Sequence, residues 1–225
     1  MDNKDINKIG KLLQEHSSKD ILKGAFYIIR PQKKYWLSDL IITLVSISAS
    51  IVIAFSNNTI KLFDNAVGIL NNVVLALFAI VFTGYAFFQA LISNELLKRL
   101  IHADAKGTVK DKTGASNVSK SLLQESNEYF IDVMMLDIIE IIVNVIQLIF
   151  LECLPMGLNF HVNLAIINIL EAIYLSAYFA FSLSVIWEMK SFIFNTFQLF
   201  NAHAGAKALE ILENEGDENS GNPDK

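Results

Sequence analysis

Four apolar stretches, each without lysine or arginine, dominate what this chain can fold into. They are 36–55 (WLSDLIITLVSISASIVIAF), 67–92 (VGILNNVVLALFAIVFTGYAFFQALI), 130–151 (FIDVMMLDIIEIIVNVIQLIFL) and 162–187 (VNLAIINILEAIYLSAYFAFSLSVIW). Each matches the roughly 20 residues that a helix needs to cross a bilayer. Open strands cannot cross, because their backbone groups would stay unsatisfied in hydrocarbon. The expected fold class is all-α: a polytopic membrane protein with four transmembrane helices and helical cytoplasmic extensions. Charged residues make up only 18% of the 225, against roughly 25% in soluble domains.

The basic residues set an expected orientation. Eight fall before Trp36, six between spans two and three, and three after Trp187. Only Lys61 lies in the other two loops. The positive-inside rule then puts both termini in the cytoplasm, with the chain integral to a membrane, on this reading a bacterial inner membrane. Tyr35 and Trp36 beside Lys33 and Lys34, and Trp187 before Lys190, fit an aromatic belt on that side. The N-terminus lacks the apolar core of a secretory signal.

The domains follow. Residues 1–35 form a cytoplasmic amphipathic arm with two short helices, one carrying Ile6, Ile9, Leu12 and Leu13, the other Ile21, Leu22, Ala25 and Phe26. With their lysines these would either lie on anionic lipid or pack on the cytoplasmic helices. Residues 36–187 are the transmembrane domain, with a helical cytoplasmic loop at 93–129. A cytoplasmic helix follows at 188–213. The acidic tail 214–225 is expected to be disordered.

Polar residues inside the spans are not scattered. Spacings of three, four and seven return to one helix face. Asp137, Glu140, Asn144 and Gln147 share such a face in span three, and Asn168, Glu171, Tyr178 and Ser182 in span four. Span one aligns Asp39, Thr43, Ser46, Ser50 and Asn57. Span two instead lines up Asn72, Ala76, Ala79, Thr83, Ala86 and Ala90, a small-residue seam that would let helices approach closely. At a rise of ~1.5 Å per residue, Glu140 and Tyr178 come out about 14–15 Å from the cytoplasmic ends, and Gln147 and Glu171 about 24–26 Å. The expected pairs are thus Glu140 with Tyr178 and Gln147 with Glu171.

An ionised carboxylate at mid-membrane costs at least a few kcal/mol without a basic partner, and these spans contain no base. The acids are then protonated glue between helices, hydrated in a polar lumen, or ligands of a cation. Four helices enclose little space, so a wet path is expected between subunits of a homo-oligomer. Past Trp187, Phe197, Phe200, Ala204, Ala208 and Ile211 form an apolar stripe at helical spacing. It would serve either subunit assembly or packing against the helices at 93–103 and 119–129.

Other classes are disfavoured. With a net charge of −5 the chain is not expected to contact nucleic acid directly. One cysteine, Cys153, and four scattered histidines build no metal site, and no phosphate loop, nucleophile elbow or kinase signature is present. The expectation is no enzyme, no metal and no cofactor. Two functions remain: a cation- or proton-permeable channel or membrane effector, and a non-conducting anchor or sensor whose cytoplasmic helices recruit a protein partner. In size, in its four spans from Trp36 to Trp187 and in its cytoplasmic termini, the chain resembles the small four-span membrane subunits of bacterial anti-phage defence operons, such as the Kiwa membrane component. That resemblance implies membrane surveillance with a cytoplasmic effector partner.

Overall fold

The computed structural model describes residues 17–30, 36–91, 97, 121–153 and 165–220. They form five helices: α1 (Ser18–Ile28), α2 (Trp36–Ala54), α3 (Thr59–Leu91), α4 (Leu122–Glu152) and α5 (Ala165–Ser220). Four of these, α2 to α5, are long and apolar enough to cross a membrane. The Ile6–Leu13 helix, most of the 93–129 loop, the residues 162–164 and the tail beyond Ser220 lie outside the described residues.

Local sequence explains the helix ends. Ser17 caps α1 by accepting from Lys19 N at 3.3 Å. Ser121 caps α4 by accepting from Gln124 N at 3.2 Å, with Glu125 in the first turn where the helix dipole favours an anion. Between α2 and α3 the chain reverses at Phe55–Asn58, and Thr59 Oγ1 donates to the carbonyls of Ile53 and Ser56 at 3.0 and 2.9 Å. That tie starts α3 at Thr59, earlier than the expected Val67, and no proline interrupts the segment between them.

The fourth span and the cytoplasmic helix form one continuous rod, α5, which carries on to Ser220. Disorder from residue 214 is therefore not what the chain adopts up to that point. The segment is acidic, but it holds no proline before Pro223, and extending an existing helix is far easier than nucleating one.

In the packing, α2 lies chiefly on α5, α3 chiefly on α4, and α1 on α4, while α5 also touches α3 and α4. The face that α3 buries is Val67, Val74, Val81 and Phe88, repeating at every seventh residue. The expected packing seam is not part of this buried face: Ala76, Ala79, Thr83 and Ala86 are exposed, as are Asn72 and Ala90, which leaves the seam open to another subunit. Branched valines fill the inter-helix space better than alanine does, so the bulkier face turns inward. Close approach through small residues occurs on α2 instead, where Ser46, Ser50 and Ala54, one turn apart, are fully buried.

Two apolar clusters bracket the bundle. One joins Phe88, Phe130 and Phe192, with Phe130 stacked on Phe88 and edge-on to Phe192, both at 5.5 Å between ring centres. The other joins Ala54, Phe63, Val67, Leu151, Leu175, Tyr178 and Phe179. The outer surface is apolar as well: Val52, Ile69, Phe150 and Leu170 are all more than 60% exposed. A surface of that kind is suited to lipid.

Candidate functional site

Between the two clusters α4 carries a polar layer. Asp137, Glu140 and Asn144 are at most 1% exposed and Gln147 is 9% exposed, so the predicted face of this helix turns inward as one unit. Ser182 from α5 and Ser46 and Ser50 from α2 are fully buried too. The serines of α2 spend their hydroxyls on their own helix, donating to the carbonyls of Ile42 and Ser46 at 2.7 and 2.6 Å.

Two hydrogen bonds cross from α5 to α4. Tyr178 Oη donates to Asn144 Oδ1 at 2.8 Å. The Ser182 hydroxyl reaches Glu140 Oε1, and it also lies 3.1 Å from its own helix's carbonyl at Tyr178. The expected bond between Glu140 and Tyr178 is thus replaced. The helices are offset by about one turn, so Tyr178 meets Asn144 and Ser182 takes its place at Glu140. Residue counts from the helix ends do not contain this offset, which depends on how the two rods slide against each other. Phe63 holds the Tyr178 ring edge-on at 5.6 Å.

The rest of each group is unspent. Asp137 Oδ2, Glu140 Oε2, Asn144 Nδ2 and Gln147 Oε1 are buried with no well-formed hydrogen bond, although the Asn144 amide lies near enough to the Glu140 carboxylate to interact with it. From Asp137 to Gln147 these atoms follow one helix face over about 15 Å. Asn168 and Glu171 stand nearer the start of α5 and are half-buried, with Asn168 Oδ1 also unpartnered.

A second polar group, not singled out from sequence, lies at the other end of the bundle. Tyr129 Oη donates to Glu188 Oε1 at 3.0 Å, and Gln89 Nε2 donates to Asn127 Oδ1 at 3.2 Å. The signal was an acid set directly after Trp187 and a tyrosine directly before the third span. Val133, Leu136 and Val185, all at most 2% exposed, separate this group from the acids. Ala25 of α1, itself fully buried, packs with Leu136 and Val185 and closes that apolar layer.

The stripe on the extension of α5 is turned outward. Phe197 is 57% and Ile211 50% exposed, and Phe200, Ala204 and Ala208 are exposed as well. Intrachain packing uses a different face of the helix, through Met189, Phe192 and Leu199.

A lipid-suited exterior, four helices of spanning length and a polar layer sealed between apolar ends define a polytopic α-helical membrane protein. No protein-family model matches the chain, and no characterised protein or solved structure matches it either.

Proposed function

We propose that the protein moves protons or small monovalent cations across a membrane, along the α4 polar face inside a single bundle. The observation that carries this reading is the row of unspent groups, Asp137 Oδ2, Glu140 Oε2, Asn144 Nδ2 and Gln147 Oε1. A buried polar atom without a partner costs about 1–3 kcal/mol. Interhelical bonding uses one oxygen each of Glu140 and Asn144 and leaves these four atoms over, in register on one helix. Water at that face satisfies all four, a cation only the three oxygens of Asp137, Glu140 and Gln147, and acids inside a span commonly mark such a path. The route lies within one chain rather than at a subunit boundary, and the Val133–Leu136–Val185 layer is where it would open.

The test is flux in proteoliposomes, read with a pH-sensitive dye and with potassium and sodium gradients. Glu140→Gln and Asp137→Asn are expected to reduce wild-type flux at least tenfold. Wild-type liposomes that pass no ion in any tested state overturn the proposal.

One observation favours a second reading, that of an anchor or sensor. The outward stripe at Phe197, Phe200 and Ile211 is apolar surface on the part of α5 past Trp187. It suits a protein partner or another copy of the chain, in line with the resemblance to anti-phage membrane subunits. Crosslinking from Phe197 to a partner, with no flux, would support that reading.

A further inference from the structure

We propose that the outward face of α1 binds the headgroup of an anionic phospholipid. The helix is divided lengthwise. Its inner side packs on the bundle: Ala25 is fully buried against Leu136 and Val185, and the Gly24 backbone sits against the Asp132 carboxylate. Its outer side is not plainly polar. Leu22, Phe26 and Tyr27 are 42%, 46% and 66% exposed. Leu22, Lys23, Phe26, Tyr27 and Arg30 line an open depression of about 310 Å³.

At 100° per residue, Lys19 and Lys23 fall within about 40° of each other on this face, with Phe26 and Tyr27 on either side, and Arg30, two residues past the helix end, lines the same depression. The sole carboxylate of α1 is Asp20, in its first turn. Among the described residues no ion pair engages the three cations. The ligand that fits is an anion joined to an apolar body. Arg30 offers a planar fork for phosphate oxygens and Lys23 a point charge, while Leu22 and Phe26 offer surface to acyl chains.

Position selects lipid over a soluble anion. The Phe26 ring lies 6.4 Å from that of Phe181, about 9 Å along α5 below the level of Trp187. Lys190 Nζ stands 4.8 Å from the Trp187 ring, an arrangement typical of the membrane surface. Phe26 therefore sits at acyl depth, and the long stems of Lys23 and Arg30 carry their charges up to the headgroups. The leaflet expected on this lysine-rich side is the one that attracts basic segments.

The experiment uses the full chain in nanodiscs of phosphatidylcholine with a minor share of phosphatidylglycerol, and native mass spectrometry to count retained lipids. Wild type is expected to keep phosphatidylglycerol well above its share in the disc. The double variant K23Q/R30Q should lose roughly thirty-fold in relative retention, from about 1 kcal/mol per basic residue. K23R should keep it, and so should K61Q at the opposite end of the bundle. Retention in the disc ratio by wild type, or undiminished retention by K23Q/R30Q, overturns the proposal. So does displacement of the lipid by free glycerol 3-phosphate, which would mark a soluble phosphate ligand.

Discussion

The phenol of Tyr178 on α5 donates to Asn144 Oδ1 on α4 at 2.8 Å, one turn away from the acid it was expected to meet. This bond joins the Ser182–Glu140 and Tyr129–Glu188 bonds in tying together the two long helices. Interhelical polar bonds in membranes are typically worth about 1 kcal/mol. Tyr178→Phe should therefore lower stability by about that amount, and Asn144→Ala should cost no additional hydrogen bond in the Phe background. A double-mutant cycle read by detergent unfolding checks the coupling. Equal and independent losses would show that the two groups do not interact.

Gly84 admits α5 to α3. A Cβ built there would lie 2.9 Å from Cζ of Phe192, whose ring is locked edge-on against Phe130. The ring has little room to yield, since Phe88 stacks on the far side of that cluster. Gly84→Val should cost about 1–3 kcal/mol through overpacking. Phe192→Leu introduced alongside it should recover part of the loss, and thermal unfolding in detergent would measure both.

Gly24 has a different constraint, because its would-be Cβ collides with the carboxylate oxygens of Asp132. Alanine is ordinarily better than glycine inside a helix by about 1 kcal/mol. In an Asp132→Ala background, Gly24→Ala should therefore stabilise the protein. With Asp132 present, the gain should shrink or reverse. A reactive thiol placed by Ala25→Cys, in a chain with Cys153→Ser, should stay unlabelled until α1 is pushed off its site by Gly24→Leu.

The chain's single cysteine reports topology. Cys153 is exposed at the end of α4, beyond the Leu151 cluster and on the side of Lys61. A membrane-impermeant maleimide added outside intact cells should label it. A thiol introduced by Ala204→Cys, on the exposed face of α5 past the span, should be labelled only after the membrane is opened. Labelling of both from outside would contradict the orientation expected from the lysines.

Much of the site was legible because one helix carries it. Asp137, Glu140, Asn144 and Gln147 share a face by periodicity alone, and a face with two acids has no stable place against lipid. The partners across the interface were not legible, since they depend on how far one rod slides along another. A slide of one turn exchanges Tyr178 for Ser182 at Glu140 and leaves the pattern of each helix unchanged. The inward face of α3 was not legible for a related reason. Small residues and valines both lie on that helix at helical spacing, and its pattern alone does not say which side meets α4.

Taken by itself, the sequence determined the number of apolar helices, the inward face of α4 and the amphipathic character of α1, because all three depend on spacing within one element. The tertiary structure decided which small residues meet a neighbour, that α1 closes the apolar layer with Ala25, and which polar atoms are left unspent beside Asp137 and Glu140. Those outcomes depend on helix register and rotation. They are set by side-chain volumes on two or three helices at once, which no single periodicity contains.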